Sequence, residues 1–375
     1  MTRAVLFKMD ASSLIGNGHL VRCLVLAEGL RQRGFRVEFL SRELPGHRCD
    51  WIEQKGFRVW RLPASPSSLD FNPADCTTWA GVAPDEDVTQ TLDLLRGQQF
   101  SWLVIDHYAL AEPQHRALAE LARRVLVIDD LANRKYYCDL LLDATLNRHA
   151  SAYAGRIPEN CRLLLGTDYA LLRSEFAALR KAAQQRRSNC LVPRKLLIAC
   201  GATDPENISL QLLHALDGSE WTKALEVTVV LASNAVYVSE VRRFCESRTW
   251  IRLLENVKDM AQLMVEQDLA VGAAGSGVWE RACLGLPSLV VVTGIDQADI
   301  IRALDACSAC LRATPPGMGR SEIDPTFFLI QLHKLCTSPD IYSDLTQKSF
   351  ALCDGLGVGR VVDAIVAVSG EEVLS

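Results

Sequence analysis

The stretch GAAGSGVWERACLGLP, residues 272–287, decides how the rest of the chain is read. The apolar run DLAVG, 268–272, leads into it as a buried strand. Gly272, Gly275 and Gly277 then clear the backbone of side chains, and Ser276 stands where a helix cap belongs. From Val278 the pattern turns helical, and Gly285 with Pro287 ends it. A strand, a glycine turn and a helix start together make an anion site. N–H groups point outward, the helix dipole adds roughly half a positive charge, and no β-carbon blocks a phosphate. Glu280, one turn in, can hold ribose hydroxyls. The same glycines also suit a tight turn that binds nothing.

The chain has 375 residues, enough for two domains. Hydrophobic residues make up 49% and charged residues 23%, as in an ordinary globular protein. A net charge of -5 argues against nucleic acid or a membrane surface as partner. No apolar run reaches the length of a membrane span, and MTRAVLFKMD meets a charge too soon for a signal peptide. The 13 cysteines are scattered, and Cys23, Cys200 and Cys283 sit in apolar contexts. Reduced thiols in a cytoplasm are the expectation. Cys307 and Cys310 form a CxxC without a second pair at zinc spacing, so no metal is expected.

Outward from the opening stretch, helices alternate with apolar strands. Strands are expected at 3–8, 36–40, 58–62, 101–108, 124–130 and 139–144. Between them come helices at 19–33, 48–55, 86–96 and 112–123, with a long surface loop at 63–85. Leu20, Cys23, Leu24, Ala27 and Leu30 form the apolar face of the first helix. A connecting helix from 171 to about 186 and a polar linker follow, and the pattern restarts at KLLIAC. The expectation is an α/β protein of two Rossmann-like doubly wound domains, 1–186 and 187–375, facing across a cleft. The second ends in a helical tail that gives no functional signal past residue 320. Ligands in such sheets sit at the C-terminal ends of strands.

The first half repeats the strand-turn-helix device. IGNGHLVRC puts Gly16 and Gly18 at the turn and His19 at the helix start, where the dipole disfavours an imidazolium. A neutral imidazole is what a general base needs, a contribution of roughly 10²–10⁴ in rate. A histidine satisfied by the loop backbone fits the same pattern. Asp106, His107, Tyr108, Asp129 and Asp130 gather at strand ends on the same rim, as ligands or as loop ties. His47, His115, His149, His214 and His333 read as surface residues.

DASSLIGNGHLVRCLVLAEGL, DHYAL, VIDDLANR, CDLLLDA, LLGTDYALLRSEF, GATDPEN and AAGSGVWERACLGLPSLVVV followed by DQ stand in one order from residue 3 to about 310. On these motifs the chain resembles the UDP-2,4-diacetamido-2,4,6-trideoxy-β-L-altropyranose hydrolases of pseudaminic acid biosynthesis, relatives of the MurG-type transferases. The resemblance implies a GT-B fold, no metal or cofactor, and a UDP-sugar attacked by water at C1 with inversion. The product would feed a nonulosonic acid for flagellin glycosylation or a surface polysaccharide. His19 would activate the water. Gly16, Asn17, Gly18, Arg22, Tyr108, Asp129, Asp296 and Gln297 would meet the substrate. Gly201, Val257, Met260, Gly275, Ser276, Gly277 and Glu280 would bind UDP. No oligomeric partner is implied.

Some positions depart from that pattern: Lys8 for an arginine, Ala109 and Ala111 for a glycine and an acid, Tyr136 for a histidine and Ala144 for a glutamine. Asp296 replaces the asparagine of an Asn-Gln pair. It could accept from a sugar hydroxyl, cap the next helix, or face the pyrophosphate unpaired. Two rival readings share the scaffold: a GT-B glycosyltransferase with a UDP-sugar donor, and a catalytically silent nucleotide-sugar binder.

Overall fold

In a computed structural model the described residues are 3–64, 71–72, 75–190, 192–293, 297–317 and 322–369. They divide into two compact units, residues 1–172 with 356–375, and residues 173–355. The sequence suggests a division at 186/187. In the structure it falls earlier, because the connecting helix starts only at Ser174 and belongs with the second unit.

The first unit is built on β1 (Ala4–Met9), α1 (Gly18–Gln32), β2 (Arg36–Arg42), α2 (Cys49–Gln54), β3 (Arg58–Leu62), α3 (Pro84–Leu94), β4 (Phe100–Asp106), α4 (Glu112–Leu118), β5 (Ala122–Ile128), β6 (Leu140–Asp143) and β7 (Arg162–Leu165). The strands form one parallel sheet in the order β3-β2-β1-β4-β5-β6-β7. Every residue of β1 is buried, which is why AVLFKM reads as a near-continuous apolar run. Two expectations change. The helix expected at 112–123 stops at Leu118 and passes through a 3-10 turn, because Ala122 already pairs with Phe100 in the sheet. RLLL, 162–165, adds a strand not singled out in the sequence.

The second unit comprises α5 (Ser174–Ser188), β8 (Lys195–Ala199), α6 (Ile208–Leu216), α7 (Trp221–Ala224), β9 (Glu226–Leu231), α8 (Val238–Glu246), β10 (Ile251–Glu255), α9 (Met260–Glu266), β11 (Leu269–Ala273), α10 (Gly277–Cys283), β12 (Ser288–Val291), α11 (Ala298–Cys307), β13 (Leu311–Arg312), α12 (Pro325–Thr337) and α13 (Pro339–Leu352). Its parallel sheet has the order β10-β9-β8-β11-β12-β13. The last helix, α14 (Gly357–Ser369), leaves this unit and joins the first. It lies on α1, where Gly29 makes room: a β-carbon there would stand 2.5 Å from Val358 Cγ1. Val361, Val362 and Ile365 enter the core around Leu20, Cys23 and Leu26, and Trp102 Nε1 donates to Ser369 Oγ at 2.8 Å. The tail placed with the second domain by sequence is therefore part of the first.

In each sheet the order reverses once. The first strand of each unit, β1 or β8, has its successor on one side and the fourth, β4 or β11, on the other. Those two junctions are the topological switch points at which open α/β sheets bind ligands.

Candidate active site

At the first switch point, β1 runs into the loop 10–18. Ser12 Oγ accepts from the Leu14 and Ile15 N–H groups at 3.2 and 2.9 Å, and Gly16 turns the chain with φ of +84°. Asn17 makes no side-chain cap, so the start of α1 carries uncapped N–H groups beside Gly18. His19 follows, 9% exposed, on a helix that directs it at the end of β4. There its Nδ1 lies 2.5 Å from Asp106 Oδ1. Burial opposes ionisation of Asp106, yet Arg22 and His19 hold its carboxyl well below the usual range. An ionised carboxylate only accepts, so Nδ1 carries the proton and donates it, leaving Nε2 as the basic nitrogen.

Arg22 is on the same helix face three residues on. It grips Asp106 twice, Nε to Oδ2 and Nη2 to Oδ1, both at 2.6 Å, and reaches Asp130 Oδ2 through Nη1 at 2.5 Å. Tyr108 Oη donates to the same Asp130 oxygen at 2.5 Å, and the Tyr108 ring stands edge-on to His19 with centroids 4.6 Å apart. Trp79, from the long loop, packs against Tyr108 at 5.6 Å. Gly16, Asn17, Gly18, His19, Arg22 and Tyr108 thus stand together at the first switch point.

Asp129 is different. It is fully buried and accepts from Leu131 N, Ala132 N, Arg134 Nη1, Tyr136 Oη and Tyr153 Oη at 2.7–3.1 Å. Its oxygens tie down the 129–136 loop, so it shapes the site without facing it. Tyr136, one of the departures noted above, is one of these ties. Asp143, at the end of β6, takes Tyr153 Oη at 2.7 Å and Arg148 Nε at 2.5 Å. Burial and the nearby Asp130 push its carboxyl up to about 6.

A second buried layer supports the loop from below. Lys8 Nζ sits 3.1 Å from Asp87 Oδ2 and 3.6 Å from Asp10 Oδ2, and Arg42 Nη2 donates to Asp87 at 2.7 Å. Asp10 accepts from the Arg42 N–H at 2.7 Å and from His107 Nε2 at 2.9 Å, while His107 Nδ1 accepts from Ala109 N. The two ring nitrogens of His107 thus bridge Asp10 and the Ala109 backbone. Burial disfavours the Asp10 carboxylate, but Lys8 and His107 hold it well below its ordinary 3.8. A depressed carboxyl lends stability that is complete above the unfolded value and is lost as pH falls through the folded one. Wild type should therefore exceed Asp10→Asn in unfolding free energy by about 1–3 kcal/mol at neutral pH. The gap should begin to narrow below about pH 4, where the unfolded carboxyl takes up its proton, and close only well below that; urea titrations at pH 7, 4, 3 and 2 check the narrowing.

His115, expected at the surface, is fully buried in α4 and stacks on Tyr136 with centroids 6.1 Å apart. Burial, then Arg134 and His107, push it down to about 3. Its polar neighbours Gln114 and Arg116 hide its inward face in the sequence.

At the second switch point two glycine turns stand side by side. After β8 the chain passes Gly201 at φ of +123°, and Asp204 caps α6 through Ile208 N and Ser209 N at 3.0 and 2.8 Å. After β11 it passes Gly275, Ser276 and Gly277 into α10. Ser276 does not cap: it is already in the helical region, φ -53° and ψ -28°, whereas a cap needs extended backbone. Its hydroxyl is left exposed on the turn. Gln297 lies by this turn, its Nε2 3.8 Å from where a Gly275 β-carbon would be, and its Oε1 accepts from Thr293 N at 2.9 Å. Glu280 is reached by Arg173, Nη2 to Oε1 at 3.9 Å, and Arg173 Nη1 donates to Lys258 O at 3.3 Å, between Val257 and Met260. Burial raises the Glu280 carboxyl against the pull of Arg173 and Arg281. Asp296 lies outside the described residues.

Two parallel doubly wound sheets, each with polar groups at its switch point, define a protein of the GT-B class. Solved structures agree: MurG of Acinetobacter baumannii superposes with a TM-score of 0.67 at 17% identity, covering 97% of this chain and 99% of that one. The S. aureus MnaA–UDP co-structure gives 0.61 at 10%, covering 99% and 97%. No protein-family model matches the chain. Among curated proteins it is 28% identical over 281 residues to the UDP-2,4-diacetamido-2,4,6-trideoxy-beta-L-altropyranose hydrolase of Campylobacter jejuni, covering 75% of this chain and 88% of the relative. It is also 28% identical over 361 residues, 96% of each chain, to the spore coat polysaccharide biosynthesis protein SpsG of Bacillus subtilis. The chain is thus a relative of that hydrolase, as its motifs imply. Among the described residues no helix is long and apolar enough to cross a membrane.

Proposed function

We propose that the chain is an inverting hydrolase of a UDP-linked 2,4-diacetamido-2,4,6-trideoxyhexose, acting in pseudaminic acid biosynthesis in the cytoplasm. The observation that carries this reading is the bond from His19 Nδ1 to the buried Asp106. It fixes the ring and leaves Nε2 to take a proton from water. The water oxygen bonds to the anomeric carbon as the C1–O bond to the β-phosphate breaks, its electron pair leaving on UDP. Attack opposite the leaving group inverts the centre. Tyr108 and Trp79 supply an aromatic wall for the sugar. The second unit's glycine turns take the diphosphate, and Glu280 the ribose.

Incubating the protein with UDP-2,4-diacetamido-2,4,6-trideoxy-β-L-altropyranose and following UDP and the anomeric proton tests this. Free UDP without acceptor, with the inverted sugar appearing first, is expected. UDP released only with an added acceptor means a glycosyltransferase, and no release in either case means a binding protein.

Ser276→Asp should weaken UDP binding at least about tenfold through repulsion at the phosphates. Calorimetric titration with UDP reads it, and an unchanged affinity removes this turn from the site.

A further inference from the structure

The second switch point holds a charge that the reading above leaves unused. Arg281 is on α10, and helical side chains lean back toward the helix start. Its guanidinium therefore runs beneath the 274–277 turn to the end of β11, where Nη2 donates to Ala273 O at 2.9 Å. Arg281 is only 3% exposed, its Nε has no partner, and among the described residues no carboxylate forms an ion pair with it. Gly272 exists for it: a β-carbon there would run into Nη1 and would stand 2.9 Å from Ala199 O, the last residue of β8. Nη1 is also 3.4 Å from where a Gly277 β-carbon would be. The cation thus lies between the two adjacent strand ends whose turns carry Gly201 and Gly275.

A buried cation without a close ion-pair partner is costly, and burial lowers the Arg281 proton affinity although Glu280, beyond ion-pair distance, pulls it back up. Arginines elsewhere in the same unit show the usual remedy. Arg187 spreads both Nη groups over the carbonyls at the end of α9, with its Nε unpartnered like that of Arg281, and Arg186 pairs with Asp268 at 2.7 Å. An anion arriving at the turn would complete Arg281 as Asp268 completes Arg186.

We infer that Arg281 is a phosphate-binding residue, a fixed positive charge under the β8–β11 crevice whose counter-ion is the diphosphate of the bound nucleotide. This rests on the assignment of UDP to the second unit. The residue acts on the ligand's charge, so its loss should scale with phosphate number, whereas a packing role would not discriminate.

The test is titration of the full-length protein and of Arg281→Gln and Arg281→Lys with UDP, UMP, uridine and inorganic pyrophosphate. Arg281→Gln should cost UDP about tenfold or more, UMP less and uridine nothing, with Lys recovering part of the loss. Equal loss for uridine and UDP, or no loss for UDP, overturns the inference. If Arg281→Gln does not fold, Arg281→Lys decides: charge drawn back from the turn lowers the UDP-to-uridine affinity ratio, and a wild-type ratio refutes the role. Pyrophosphate binding that depends on Arg281, without UDP binding, keeps this inference and removes the nucleotide assignment. Binding of neither anion removes both.

Discussion

His19→Ala is expected to lower turnover by about 10²-fold or more while UDP affinity stays within about twofold of wild type. The bond from Nδ1 to Asp106 leaves the other ring nitrogen of His19 available as a base. UDP is assigned to the other unit, so binding and chemistry should separate in this variant. Its effect belongs in kcat, because the proton moves only in the transition state. Single-turnover release of UDP, beside calorimetric UDP titration, measures both. Near-normal turnover would remove His19 from the mechanism.

Asp106→Asn should be nearly as severe, about 10²–10⁴-fold in turnover. An amide in place of the carboxylate can donate to Nδ1, which moves the ring proton to Nε2 and abolishes the base. Arg22 would keep Asp130 and its Nε bond to the remaining amide oxygen but lose the Nη2 bond and the charge of Asp106, so thermal stability should fall as well. To separate the two effects, turnover is measured well below the melting temperature across a pH range. A lost base flattens the profile, and a merely loosened fold leaves its shape. Normal turnover in a folded Asp106→Asn protein would reduce Asp106 to a structural ion-pair partner.

Much of this architecture can be read in the chain because buried parallel strands announce themselves. AVLFKM, EVTVVL and SLVV are apolar runs between glycine or polar turns, and the structure makes each a strand. Short edge elements do not stand out: RLLL is half-buried and begins on an exposed arginine, and β13 has only two residues. His19 is legible because a glycine turn precedes it. The role of Asp106 is not, since the partner of β1 is β4, about a hundred residues on, and only sheet order brings them together. Trp79 gives no sequence signal, because its loop has no periodicity. Arg281 looks like an ordinary helical arginine until Gly272 is seen to accommodate it. Ser276 misleads because its residue type fits a cap while its backbone does not.

The return of α14 makes the second unit an insertion within the first, with consequences for how the protein is made and cut. On the ribosome the segment 173–355 emerges complete and can fold as a unit. The unit carrying His19 must wait for the last helix to close over Leu20, Cys23 and Leu26. A fragment starting at 187 would lack most of α5 and present Val361, Val362 and Ile365 to water, a recipe for aggregation. Residues 173–355 are the piece to express for a soluble nucleotide half. The half carrying His19 would need residues 3–172 joined by a linker to 356–369, and a stop codon placed just before α14 should unfold that half without touching a single residue of the proposed site.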